Sequence, residues 1–166
     1  MLLDANLLLY AVHSGADRHE AARAWLTEQL NGSRRVGIPW SSVGAFLRIA
    51  THPRAFPRPL TAATAWERVS DWLSAPAAWI PEPGPKHRQI LGEIITEHDA
   101  RGNLVPDAML AALAIEHGLT LCTTDTDFAR FGELSWTNPL DAATPATEPA
   151  ADQSGQRWSG PSPTTA

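Results

Sequence analysis

Four aspartates and a few neutral polar neighbours are the residues of this chain best suited to chemistry. Asp107 opens an apolar run, Asp125 and Asp127 follow the strand-like segment after that run, and Asp4 ends the apolar Met1-Leu2-Leu3. Any one of them alone fits a helix cap or a turn equally well. Crowded at one edge, three or four carboxylates repel one another, so one must take up a proton or a cation must neutralise them. Oxygen ligands without Cys or His select Mg²⁺, with Mn²⁺ as an alternative, over zinc. Asp4, Asp107 and Asp125 are the expected metal ligands, with Asp127 as a fourth member of the catalytic set. Asn6, Thr123 and Thr124 are placed to orient the carboxylates or bound water. A hard divalent ion held this way suits phosphodiester cleavage, because it acidifies a bound water, orients the phosphate and stabilises the leaving oxygen.

The elements that must bring these acids together can be read from the central stretch. Pro106 suits the first turn of a helix, Asp107 sits where the helix dipole favours a carboxylate, and Gly118 is the residue type that ends one. Ala108 to His117 is apolar nearly all round, as expected of a helix buried against a sheet. Leu119 to Thr123 follows as a short strand. A helix of about eleven residues at roughly 1.5 Å each and a strand of about five at roughly 3.3 Å each span similar distances. The strand therefore returns to the level where the helix began, and Asp107 and Asp125 share an edge. That edge is the carboxyl end of the strand, where open α/β sheets place their ligands. Asp4 joins them if its strand runs parallel.

Composition narrows the alternatives. A chain of 166 residues with 43% apolar content holds one ordinary domain with a real core. No apolar run approaches the length of a membrane span, and no signal peptide is visible at the N-terminus, so the expected location is the cytoplasm, with no membrane partner. The formal charge of −5 argues against a broad basic nucleic-acid surface but allows a local one. Lys86 is the only lysine among thirteen basic residues. Arginine holds phosphate bidentately, so Arg34, Arg35, Arg54 and Arg58 in loop-like sequence are candidate contacts; Arg54, Arg58 and Arg101 are the expected set for positioning a nucleic acid. Cys122 reads as a small buried apolar residue.

In chain order, residues 5–12 read as a short helix, and Asp17 followed by Glu20 has the spacing of a capping box that opens a second. Residues 35–39 read as a strand and turn, and Ser41 to Ala50 as a helix. The proline-rich stretch 51–59 must be a loop. Thr61 can cap a helix whose Ala65, Trp66, Val69, Trp72 and Leu73 form a stripe expected to face the core. Trp79-Ile80 reads as a strand, Ile90 to Ile95 as part of an amphipathic helix with His87 and His98 at helix-end positions, and residues 134–136 as a last strand. From 141 to 166 the Ala/Pro/Thr/Ser-rich composition cannot offset its ordering entropy, so a disordered tail is expected beyond a domain of residues 1–140. Strands alternating with helices predict an α/β domain with a mainly parallel sheet covered on both faces.

The segments Leu3-Asp4-Ala5-Asn6, Gly102 to Ala108, Thr123 to Phe128 and Trp136 to Leu140 resemble the PIN-domain ribonucleases, specifically VapC toxins of bacterial type II toxin–antitoxin pairs. The resemblance covers residues 1 to about 140. It implies a PIN-like fold, Mg²⁺-dependent endonucleolytic cleavage of RNA, a homodimer, and neutralisation by a small cognate antitoxin. It also implies that Asp4 and Asp107 are the principal metal ligands, with Asp125 and Asp127 completing the site. One position departs from the pattern: the family usually carries a glutamate where this chain has Ala45, before Phe46-Leu47-Arg48, and Ser41 one turn earlier is not an acid either. Loss of one carboxylate of four leaves a Mg²⁺ site possible, since that ion keeps several waters. The alternative is a catalytically impaired PIN domain that binds antitoxin or RNA. A phosphatase of another α/β fold is disfavoured, because an aspartyl-phosphate signature with its lysine is absent.

Overall fold

A computed structural model describes residues 1–141. The tail expected to be disordered lies, apart from Asp141, outside the described residues.

Five short strands form one sheet: β1 (Leu2–Leu3), β2 (Val36–Gly37), β3 (Ala78–Trp79), β4 (Leu121–Cys122) and β5 (Trp136–Thr137). Their order across the sheet is β3-β2-β1-β4-β5, and every pairing is parallel. Among the described residues six helices accompany the sheet: α1 (Ala5–Val12), α2 (His19–Leu30), α3 (Trp40–Ala50), α4 (Ala62–Leu73), α5 (His87–Glu97) and α6 (Leu104–Glu116), with a 3₁₀ turn at Thr126–Arg130.

Successive residues of a strand point to opposite faces, and here that alternation divides the interior. Leu3 and Cys122 enter an apolar cluster with α1 to α4, whereas Leu2 and Leu121 enter a second cluster with α5, α6, Phe128 and Phe131. The sheet is therefore covered on both faces, as its near-continuous apolar strands require. Among the described residues no helix is long and apolar enough to cross a membrane.

Several local expectations are met by visible contacts. The Thr61 hydroxyl accepts from the Thr64 amide at 3.1 Å and caps α4. Gly118, just past α6, has φ +61°, a conformation that costs glycine nothing. At the far end of α6, the Glu116 carboxylate accepts from the amides of Gly84 and Lys86, both at 2.9 Å, and lies 3.4 Å from His87 Nδ1. A Cβ on Gly84 would stand 2.7 Å from Glu116 Oε1, so glycine is what allows this approach.

Three expectations are corrected. Asp17 and Glu20 form no capping box: α2 starts at His19, and its N-cap Arg18 makes no side-chain cap. Trp66 does not enter the core and is 50% exposed, whereas Trp72 is buried, edge-on to Phe46 with ring centroids 4.9 Å apart. A stripe of aromatics wider than the face a helix can bury leaves its outermost ring outside. The strand expected over residues 119–123 is confined to Leu121–Cys122. In α3 the buried serine is Ser42, whose hydroxyl donates to the Leu3 carbonyl at 2.7 Å.

Candidate active site

Strand register brings the first two site residues together. Leu3 pairs with Cys122, so the next residues, Asp4 and Thr123, emerge side by side at the carboxyl ends of β1 and β4. The Asp4 amide donates to the Cys122 carbonyl at 3.1 Å, and the Thr123 amide to the Thr137 carbonyl at 3.0 Å. Between them a polar knot forms around the fully buried Thr123 hydroxyl. It donates to Asp4 Oδ2 at 2.7 Å and accepts from Asn6 Nδ2 at 2.8 Å and from the Asp125 amide at 3.0 Å. Asn6 Oδ1 in turn faces the Thr124 amide at 3.4 Å, near the long limit for such a bond. Asn6 and the Thr123 hydroxyl are thus joined to the aspartates, while Thr124 takes part only through its backbone amide.

Asp4 is the N-cap of α1, and its carboxylate faces the amides of Ala5 and Asn6 without closing a capping hydrogen bond. Burial raises its carboxyl above the ordinary range; the Thr123 bond pulls it back and the nearby Asp125 charge adds to the rise. Asp107, in the first turn of α6, is pushed up to about 6, first by desolvation and then by the charges of Asp125, Asp4 and Asp127, with Arg130 opposing. Asp107 therefore lies within electrostatic reach of the other three aspartates. Neither Asp4 nor Asp107 has an ion-pair partner among the described residues. Two desolvated acids without a basic partner are an arrangement that a cation would relieve.

Asp125 and Asp127 are exposed. Asp125 caps the 3₁₀ turn by accepting the Asp127 amide at 2.8 Å, and Asp127 Oδ1 lies 3.7 Å from the Arg130 guanidinium. Arg130 is the basic residue closest in influence to the acids, and its sequence signal is only the three-residue spacing from Asp127 on a turn. Among the described residues no three Asp, Glu, His or Cys side chains stand close enough to enclose a metal ion by themselves. The expected ligand set of Asp4, Asp107 and Asp125 is therefore not closed into a cage in this structure.

The arginines expected to position RNA are not gathered at this edge by any contact. Arg101 is exposed and pairs with Asp99. Arg54 and Arg58 are exposed on the loop between α3 and α4. Arg35 is used elsewhere, its guanidinium 4.6 Å from the centre of the Trp79 ring. Ala45 is half-buried on α3, three residues after Ser42 and so on the face that reaches β1 just before Asp4.

The fold has clear counterparts. The family model for the PIN domain matches residues 1–134. Ribonuclease VapC37 of Mycobacterium tuberculosis is 43% identical over 138 residues, covering 83% of this chain and 96% of its own. Ribonuclease VapC33 of the same species is 41% identical over 137 residues, covering 82% and 96%. Among solved structures, VapBC2 from Rickettsia felis bound to a DNA fragment from its promoter aligns with TM-score 0.59 and 20% identity, over 82% of this chain and 96% of that one. The chain belongs to the PIN-domain family, within its VapC group.

Proposed function

We propose that this protein is a Mg²⁺-dependent endoribonuclease that hydrolyses RNA phosphodiester bonds and serves as the toxic member of a toxin–antitoxin pair. The observation that carries the reading is that Asp107, desolvated on α6, feels the charges of Asp125, Asp4 and Asp127, while Asp4 beside the carboxyl end of β4 is itself desolvated and neither has an ion-pair partner among the described residues. The relatives named ribonuclease support the same substrate class.

Asp4 and Asp107 would hold the ion, with Asp125 beside them and Mn²⁺ able to replace Mg²⁺. When bound, the ion would supply an acidified water and neutralise charge on the phosphate. Thr123 holds Asp4 by Oδ2, and Asn6 holds Thr123 in place, so the carboxylate that would meet the ion is fixed in orientation. Asp127 and Arg130 bracket the outer side, where the guanidinium can meet a phosphate oxygen. In the reaction a water oxygen bonds to phosphorus, the bond from phosphorus to the leaving sugar oxygen breaks, and the proton lost by the water balances the one gained by that oxygen. The expected partners are RNA, a cognate antitoxin that covers the acidic edge, and a second copy of the chain, all in the cytoplasm.

Cleavage of end-labelled cellular RNA with Mg²⁺ or Mn²⁺, compared with EDTA, tests this reading. Metal-dependent internal cuts are expected, and cuts that persist unchanged in EDTA would remove the metal assignment. One observation favours a second reading, an RNA- or antitoxin-binding module with impaired catalysis: Ala45 faces the β1 end without a carboxylate. RNA binding with no cleavage at any metal concentration would select it.

A further inference from the structure

Next to the acidic edge lies a cleft of about 240 Å³ lined by Asn6, Leu9, Tyr10, His13, Ala16 and Phe56. Asn6, Tyr10 and His13 follow one another at four- and three-residue spacing, so one face of α1 carries them away from the site and the loop between α3 and α4 supplies the opposite wall. Asn6 belongs to both places, since it also holds Thr123, which holds Asp4. His13 stands edge-on to Phe56, with ring centroids 4.2 Å apart and planes at 73°. The His13 Nδ1 accepts the Gly15 amide at 3.1 Å, which leaves Nε2 to carry the proton of the neutral ring.

Building on the ribonuclease reading, we propose that this cleft seats one unpaired RNA base adjoining the scissile phosphate and sets the enzyme's base preference there. Its size, below the roughly 300 Å³ at which drug-sized ligand sites begin, suits a single base. Aromatic walls supply the stacking by which splayed-out bases are held, and His13 Nε2–H is a donor for a base acceptor. Arg54 and Arg58 flank Phe56 on the same exposed loop and can take the phosphates on either side of the seated base. Together these give the two loop arginines a role that the acidic edge alone does not.

The test separates this subsite from catalysis. Cleavage ends are mapped by sequencing on total cellular RNA for the wild type, His13→Ala, Phe56→Ala and Phe56→Leu; the leucine variant keeps an apolar wall and removes the stacking ring. In parallel, fluorescence anisotropy measures binding of labelled ten-nucleotide U, A and C homopolymers to Asp107→Asn and to Asp107→Asn carrying each substitution. Thermal melts confirm folding. Expected are a base preference at one position beside the cut that flattens in all three variants, and about tenfold weaker binding of the preferred homopolymer. If the wild type cuts no RNA but the binding loss appears, the catalytic reading fails and the subsite stands. Folded variants that keep both the wild-type preference and affinity would overturn the subsite, whatever the cleavage result.

Discussion

The Thr123 hydroxyl donates a 2.7 Å hydrogen bond to Asp4 Oδ2, joining residues 119 positions apart in the chain. The same hydroxyl also takes the Asn6 amide and the Asp125 backbone N–H, so one buried oxygen sets the geometry of two acids. Thr123→Val keeps the shape and removes all three bonds. Leaving buried polar groups unpaired costs about 1–3 kcal/mol, to be read from urea denaturation. RNA cleavage should fall about 10–100-fold, the range seen when groups that orient a metal ligand are lost, and Thr123→Ser should recover most of it. A fully active, fully stable valine variant would show that the hydroxyl positions nothing.

Asp107→Asn is expected to reduce cleavage by more than about 100-fold, beyond the loss typical of groups that only orient a ligand. The effect on stability has the opposite sign. The Asp107 carboxyl titrates near 6 in the folded protein, above its ordinary 3.8, so folding favours its protonated form. Its destabilisation is absent below the unfolded value, grows between the two and is complete above 6. Metal-free Asp107→Asn should therefore melt a few degrees above the wild type at pH 8, about 1 kcal/mol after allowance for solvent screening, with the gap closing by pH 4. Loss of folding on this change would make Asp107 structural.

Ala45→Glu would place a carboxylate one turn beyond Ser42, on the α3 face that touches β1. Metal affinity of the variant, measured by calorimetry with Mn²⁺, should rise about tenfold or more, since affinity of such sites follows ligand charge. Unchanged affinity would mean that the side chain at this position points away from the acids.

The two tryptophans of α4 should behave very differently. Trp72→Ala empties a buried position against Phe46 and should cost about 3–5 kcal/mol. Trp66→Ala changes a half-exposed ring and should stay within about 0.5 kcal/mol in urea melts. Comparable losses at both positions would restore Trp66 to the core.

Where chain geometry alone decides position, the sequence was readable. Gly118 marks the helix end through its own backbone freedom, and the parallel pairing of β1 with β4 sets Asp4 beside Thr123. Thr61 announces its cap because the hydroxyl acts within three residues. Trp66 misled because helical spacing identifies a face but not how wide a strip of it the neighbours cover. Asp17 misled because a capping box depends on where the preceding loop delivers the chain. Arg130 and the cleft beside Asn6 are tertiary features, since His13 and Phe56 are brought together by elements that no local pattern relates.

The Glu116 carboxylate ties the last residue of α6 to the amides of Gly84 and Lys86, across a gap that only glycine leaves open. Because a helix is stiff along its axis, fastening that end denies the opposite turn any axial slippage. Asp107 cannot retreat from its neighbours' repulsion by shifting the rod that carries it. Beyond what Arg130 supplies, relief comes as a proton or a positive ion.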